Sequence, residues 1–388
     1  MSQQYALVIG AGFAGATVAR KLAEGGTKVL VVERRSHVGG NAYDCLDAEG
    51  VLIHKYGPHI FHTSHKEVYD FLSRFTGWRE YEHRVVANVY GQLMPVPFNL
   101  TSLDIAFEGR AAELSEKLLA AYGPERKVTI LELRQSNDPA LSDLADYVYE
   151  NIFKTYTVKQ WGQTPEEIDP ATTARVPVFL SRDDRYFQDA YQGMPQEGYT
   201  ALFQNMLEHP NIEVRLNTDA TDVLTLTQVG TTLVDGEPFK GPIIYSGAVD
   251  DLFDRRFGRL PYRTLDFVFE THPVEWYQTH GTVNYTVDQP FTRITEFKHL
   301  TGQVLPKKTT IMKEFSKAFT GEEGQIPYYA IINPENKALY GKYAALAAEY
   351  PNLHLLGRLA EYQYYNMDAI VKRALELAGT LTAAEEKK

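Results

Sequence analysis

The sequence predicts an α/β protein carrying α+β inserts. Three observations point there: a strand, glycine turn, helix and strand run near the start, a long helical stretch in the first half, and four alternating segments in the second half. "YALVIG" (5–10) is a short apolar strand. "AGATVARKLAEGG" follows as a helix stopped by Gly25 and Gly26, and "KVLVVE" (28–33) is a second buried strand. Together they make a βαβ unit, which implies a parallel sheet.

Residues 85–98 ("VVANVYGQLMPVPF") read as a hairpin whose end is marked by two prolines. From about 99 to 160, "AAELSEKLLAAYG" and "LSDLADYVYENIFKTY" place apolar groups at i, i+3 and i+4, the period of helices. Residues 162–176 ("GQTPEEIDPATTARV") carry Pro, Gly, Thr and charge without periodicity and read as a long exposed loop. Strand-like segments return at 212–216, 221–234 and 242–246. "YRTLDFVFET", "GTVNYTVD", "TRITEFKHL" and "TTIMKEFSK" then suggest an antiparallel sheet. "LHLLGRL" is a late strand ending at Gly357, a helix spans about 367–379, and "TAAEEKK" is a frayed tail. Repeats and low-complexity segments are absent from the sequence.

At 388 residues the chain is too long for one small core. The expected organisation is discontinuous. Residues 1–80, 198–250 and 340–388 form a Rossmann-like dinucleotide-binding domain. Residues 99–187 form a helical bundle with a mobile loop at 162–176, and 81–98, 188–197 and 251–339 form an antiparallel sheet domain. Apolar content of 44% and charged content of 23% are ordinary for globular chains. The net charge of −11 argues against nucleic acid as a partner. No apolar run approaches the roughly 20 residues that span a bilayer, so no membrane insertion is expected. Cys45 is the one cysteine, which rules out an intramolecular disulfide and fits a reducing compartment. "MSQQYALVIG" lacks the basic region and long apolar core of a signal peptide, so the expected location is cytoplasmic. The 25 tyrosines fit either packing or a wet site whose rings stack on sugars or bases.

"GAGFAG" sets Gly10, Gly12 and Gly15 directly after a strand and at the opening of a helix. Gly10 permits the tight turn, Gly12 lets the backbone approach a pyrophosphate, and Gly15 lets helix pack on strand. The helix N-terminus offers free N–H groups to phosphates, and Glu33 is placed for a ribose hydroxyl pair. An NAD site could stop at Glu33. Here Arg34, Arg35 and then Gly39-Gly40-Asn41 follow, and a second glycine pair lets another backbone stretch approach a larger cofactor. This pattern resembles the FAD-binding signature of flavoproteins of the glutathione reductase and amine oxidase type. The late "LLGRLAEYQYYNMDA" fits the strand and helix that close such a site over the isoalloxazine. Arg34 reads as a cofactor contact or a solvated charge. Arg358 reads as a pyrophosphate partner or a buried ion-pair member. His59 and His62 form an HxxH, but no third Cys, His or acid cluster follows, so no metal is expected.

In chain order, "HKYGPHIFHT", "YTVKQWG", "RYFQDAYQGMPQEGYT", "FTRITEFKH", "PYYAI" and "GRLAEYQYYNMD" resemble the bacterial-type UDP-galactopyranose mutase family over about residues 5–378. The resemblance implies a non-redox flavoenzyme that interconverts UDP-galactopyranose and UDP-galactofuranose. FAD serves in its reduced form, through a covalent adduct between flavin N5 and galactose. It also implies a homodimer or larger assembly. The cofactor contacts it implies beyond the glycines, Glu33 and Asn41 are Phe13, His59, Ile60 and Gly247, with Tyr365, Met367 and Asp368 near the end of the chain. Arg175 and Arg293 would meet the charge on the departing diphosphate, with His59 at the flavin and His62 as nearby support. Tyr156 would stack on uracil, Phe153 and Asn284 would flank the uridine, and Trp161 would lie beside the sugar. Tyr186, Tyr329 and Tyr364 would hydrogen-bond the diphosphate. His83 stands where some relatives carry Asn near the sugar hydroxyls, and His can still donate and accept there. The competing reading is an FAD-dependent oxidase or desaturase of the amine oxidase class, which would need a hydride donor at N5 and an apolar substrate cavity.

Overall fold

A computed structural model describes residues 5–164, 177–228 and 230–385. Among these residues, five strands form a parallel sheet in the order Ile212–Arg215, Lys28–Val32, Tyr5–Ile9, Ile243–Tyr245 and Leu353–Leu355. Its three central strands, Lys28–Val32, Tyr5–Ile9 and Ile243–Tyr245, are largely apolar on both faces because both faces are covered. Ala6 and Val8 point into a core with the helices Phe13–Glu24, Tyr199–Leu207 and Met367–Glu385. Leu7 and Ile9 point the other way, against the helices Val249–Leu252 and Pro334–Ala347. The last helix runs past the expected end at 379. Residues 386–388 lie outside the described residues.

Seven strands form the larger sheet, in the order Tyr329–Ala330, Tyr262–His272, Thr309–Ala318, Arg293–Glu296, Thr282–Tyr285, Val85–Val89 and Gln92–Val96. The hairpin at 85–96 closes on Tyr90 and Gly91, with φ of +51° and +92°, the left-handed pair a two-residue turn demands. The pairings are antiparallel, as expected, with one exception: Thr282–Tyr285 pairs with Val85–Val89 in parallel. The two strands are separated by the whole helical segment, and so long a connection permits parallel pairing where a tight turn would not. A correction concerns 188–197. Tyr191–Pro195 lies between Phe61–Thr63 and Trp78–Glu80 in a separate three-stranded sheet, because Met194 and Phe61 bury into the core beneath the parallel sheet. Residues 221–234 also divide. The short helix Ala220–Val223 is capped by Asp219, and two strands of a small antiparallel sheet follow.

The helical segment packs Leu103, Leu114, Leu118 and Leu144 against Val85, Val89 and Met94 of the hairpin. Within it the helix Pro139–Val148 is capped by Asp138 and runs on through a π-helical turn at Tyr149–Lys154 into Thr155–Trp161. A π turn inserts extra chain into a helix and re-aims the residues beyond it. Tyr149, Ile152 and Phe153 stay in the core, while Tyr156 and Trp161 reach a large cavity. The helix stops at Gly162, φ +69°. Of the loop expected at 162–176, residues 165–176 lie outside the described residues, Arg175 among them.

Candidate active site

A cavity of about 1200 Å³ extends from the glycine turn after the first strand to one face of the seven-stranded sheet. At the first end, Gly10 has φ +106°, and a Cβ there would sit 2.0 Å from Ser246 Oγ. Gly12 is different. Its φ of −84° suits any residue, and a Cβ would meet nothing closer than 3.6 Å. Neither conformation nor packing explains that glycine, but open space for a ligand does. The Gly39–Gly40 turn closes the cradle: Gly39 N–H donates to Ala11 O at 2.9 Å, and a Cβ on Gly40 would lie 3.1 Å from Gly12 Cα. The helix beginning at Phe13 has no side-chain cap, which leaves its first N–H groups for an anion.

Glu33 is fixed at the end of the second strand. It accepts from Ala11 N–H and Arg35 N–H, both at 3.0 Å. A carboxylate offers about four acceptor positions, so room remains for a ribose diol. Arg35 donates to Asn41 Oδ1 at 2.9 Å and lies 4.3 Å over the Tyr56 ring, and its Nη1 is buried without a hydrogen-bond partner. An orphaned donor, a methyl-sized gap at Gly12 and an uncapped helix together suit a dinucleotide. Arg34 is exposed at the rim, and Ile60, Gly247, Tyr365 and Met367 lie on the wall. Gly15 is absent from the wall; a Cβ there would fall 1.8 Å from Gly10 O, so its role is packing. Asp368 is also off the wall and accepts from Thr63 Oγ1 at 3.0 Å, which ties the last helix to the sheet at Phe61–Thr63.

His59 and His62 take separate partners. His59 Nδ1 meets Gly57 O at 2.9 Å, while His62 Nδ1 meets Asp189 Oδ2 at 2.8 Å and its ring stacks on Phe187. Among the described residues no group of three or more His, Cys, Asp or Glu is arranged to hold a metal. Burial lowers the pKa of His59 to about 3 and of His54 to about 4. Burial, then Arg293 and His62, lower that of His83 to about 3. His54 and His83 are 1% and 5% exposed, and their titration couples to folding. The unfolded chain protonates them near pH 6.5, so their contribution is intact above that pH and is lost as pH falls toward 4 and 3. At pH 5 each costs about 2 kcal/mol. Thermal melts should show Tm falling from pH 7 to pH 5, with a shallower fall for His83→Asn. A flat profile would refute the burial of these rings.

At the far end, Asn284, Arg293 and Glu314 are cross-strand neighbours on adjacent strands. Arg293 Nη2 donates to Tyr156 OH at 2.6 Å, and its Nε lies 3.5 Å from Glu314 Oε1. Burial works against the Arg293 charge, but Glu314 together with Tyr156, Tyr329 and Tyr186 outweighs it and the guanidinium pKa is raised. Burial pushes the Tyr156 phenol up to about 12, against the pull of Arg293, so it stays a donor. Tyr329 and Tyr364 stack at 6.2 Å, with Trp161 5.6 Å from Tyr329. Arg358 lies 4.3 Å over Tyr364 and donates from Nε to Tyr365 O. Asn284 Oδ1 is buried without a hydrogen-bond partner on the same wall. Tyr186 N–H donates to His83 O at 2.7 Å, which brings these two together.

Phe153, placed beside the uridine by the resemblance, is not on the cavity wall: it is 4% exposed and packs in the helical core. Glu314 was missed. "TTIMKEFSK" puts Met312, Glu314 and Ser316 on one face, but nothing in the pattern says that this face meets a cavity.

The family pattern for UDP-galactopyranose mutase matches residues 151–364, and one for NAD(P)-binding Rossmann-like domains matches 8–75. A dTDP-fucopyranose mutase from Escherichia coli is 38% identical over 96% of this chain and 97% of its own. A UDP-galactopyranose mutase from Mycoplasma pneumoniae is 36% identical over 97% and 95%. In shape, a crystal structure of reduced UDP-galactopyranose mutase matches with TM-score 0.69 at 16% identity, covering 99% of this chain and 94% of that one. Cyclohexylamine oxidase from Brevibacterium oxydans matches with TM-score 0.61 at 13% identity, over 99% and 100%, a likeness of fold alone. With that pattern matched over more than half of its length and such relatives along nearly all of it, the chain belongs to the UDP-galactopyranose mutase family of isomerases.

Proposed function

We propose that this protein binds FAD and interconverts UDP-galactopyranose and UDP-galactofuranose with the cofactor reduced and no net redox change. The observation that carries the reading is the shared cavity. A dinucleotide cradle at one end faces Arg293, Tyr156, Arg358 and the Tyr329–Tyr364 pair at the other. The Gly12 gap, Glu33, Asn41 and the first turn at Phe13 would hold the cofactor. When bound and reduced, the flavin supplies a nucleophilic N5 toward the anomeric carbon of galactose.

The remaining work belongs to the chain. A departing diphosphate develops charge, and guanidinium groups match phosphate oxygens with paired donors. Arg293 takes that role, with Arg175 from outside the described residues as its partner. Tyr186, Tyr329 and Tyr364 add neutral donors, and Tyr156 offers a ring to the uracil. The orphaned Asn284 Oδ1 is suited to accept from a base or ribose. His59 would lie at the flavin, and Trp161 and His83 would border the sugar, where exclusion of water protects a reactive glycosyl centre. We assign the parallel sheet and its helices to cofactor binding, the helical segment and large sheet to substrate, and a homo-oligomer as the working form in the cytoplasm.

The E. coli relative favours testing a second substrate of the same class, a dTDP-linked 6-deoxygalactose. Dithionite-reduced protein is incubated in parallel with UDP-galactofuranose and dTDP-fucofuranose, and the products are separated by anion exchange. The expected result is conversion of the UDP sugar to its pyranose by reduced protein and none by oxidised protein. Preference for the dTDP sugar would move the substrate assignment. Turnover by oxidised protein with stoichiometric consumption of an oxidant would support an oxidase instead.

A further inference from the structure

The most deeply buried acid in the substrate half of the cavity still lacks a role. Glu314 is 2% exposed, lies on the cavity wall and sits directly across the strand pair from Arg293. Its Oε1 is 3.5 Å from Arg293 Nε and 3.3 Å from Thr292 Oγ1, a hydroxyl that also donates to the Glu314 backbone carbonyl at 3.0 Å. The contact to Arg293 is too long for a good hydrogen bond, and Arg293 Nε has no hydrogen-bond partner. This carboxylate therefore acts on the guanidinium mainly through charge. It also stands among donors meant for an anion, a costly place for a negative group unless it does something there.

We propose that Glu314 is a positioning and charge-balancing residue of the diphosphate subsite: it holds Arg293 in place and limits how tightly a nucleoside diphosphate is retained. The proposal rests on the reading of this cavity as a nucleotide-sugar site. The field of Glu314 also reaches past Arg293. After burial itself, it is the next influence raising the pKa of Tyr329, and it raises that of Tyr156 as well. One buried acid thus favours the donor form of a guanidinium and, in addition to burial, of two phenols. The same charge repels a diphosphate. A mutase must release its diphosphate from carbon and return it within one turnover, so retention that is too strong would slow the second half of the reaction. Opposed charges in one subsite set that balance.

The test compares Glu314→Gln and Glu314→Asp with the unaltered protein, each full length and loaded with cofactor. UDP affinity is read by calorimetry and turnover by the reduced-protein assay. Glu314→Gln keeps the size and loses the charge. It should bind UDP about fivefold tighter or more, the lower bound set by a unit charge about 4 Å away at the dielectric of water. Its kcat should fall by about tenfold or more, while Glu314→Asp should return toward ordinary UDP affinity and recover part of the kcat. A purely structural role would weaken UDP binding and lower kcat together. Weaker or unchanged UDP affinity in Glu314→Gln overturns the proposal, as does an unaltered kcat. If Glu314→Gln does not fold, Glu314→Asp decides alone: a shorter reach should lower kcat with UDP affinity kept within about twofold, and a parallel loss of both overturns it. UDP affinity is measured without turnover, so this arm can fail while the isomerase reading stands, and the reverse.

Discussion

Arg293→Ala is expected to lower kcat/KM by about 10²–10³-fold, equivalent to roughly 2.7–4 kcal/mol in the barrier, while leaving the cofactor content unchanged. The size follows from where the group sits. Arg293 is held by Tyr156 on one side and by the field of Glu314 on the other, so its charge is preorganised before substrate arrives. Removing it deletes stabilisation of a developing anion and also leaves Glu314 buried opposite a diphosphate without its counter-charge. The loss should therefore exceed that of Tyr329→Phe, which removes a neutral donor. Arg293→Lys should recover only part, because a single ammonium does not reproduce the planar, two-donor fit to phosphate. Steady-state kinetics on reduced protein and flavin absorbance per chain check both halves. Turnover within threefold of normal in Arg293→Ala would remove this arginine from the reaction.

The opening βαβ unit was legible because its signals are local and agree. The apolar strand, the three glycines, the helix and the acid at 33 lie within about thirty residues of each other. The hairpin at 85–96 was legible for the same reason, since its apolar run and the marking prolines Pro95 and Pro97 lie close together. What failed was long-range. Nothing in "GTVNYTVD" says that its neighbour lies nearly two hundred residues earlier and runs parallel. Nothing in "YQGMP" says that Tyr191–Pro195 belongs with Phe61–Thr63. The helices at 199–207 and 334–347 were also passed over. The second does not gather its apolar residues on one side, so the helical period is faint although Asn333 caps it.

The site divides in the same way. Gly10, Gly12 and Glu33 could be argued from spacing and chemistry. Arg293, Tyr156, Tyr329 and Tyr364 are ordinary strand, helix and loop residues until the fold brings them to one wall, and only the family resemblance singled them out. Across a π turn of six residues Tyr156 lines the cavity while Phe153 packs in the helical core, and no residue pattern announces such a turn. Glu314 shows the opposite failure, a functional position hidden within an alternating strand.

Gly12 and Gly15 look equivalent in the sequence and should behave oppositely when each becomes alanine. At Gly15 the added carbon would lie 1.8 Å from Gly10 O and 2.9 Å from Val8 Cγ1. The first of these is backbone of the turn itself and cannot rotate away, so the helix Phe13–Glu24 must lift off the parallel sheet. Ala6, Val8 and the buried side of that helix would lose their shared core. A cost of about 4 kcal/mol or more is expected, enough to deplete soluble protein. At Gly12 the backbone is extended at φ −84°, and the new carbon finds its nearest neighbour 3.6 Å away. The cofactor-free chain should therefore melt within about 2 °C of the unaltered protein, as substitutions away from strain and packing do. The methyl would, however, occupy the space in which a pyrophosphate approaches the helix N-terminus, and flavin affinity should drop by about 100-fold. Melts of stripped protein and titration with FAD separate the two effects. If Gly12→Ala kept its flavin while Gly15→Ala folded normally, the cradle would be in the wrong place, and with it the orientation of the whole cavity.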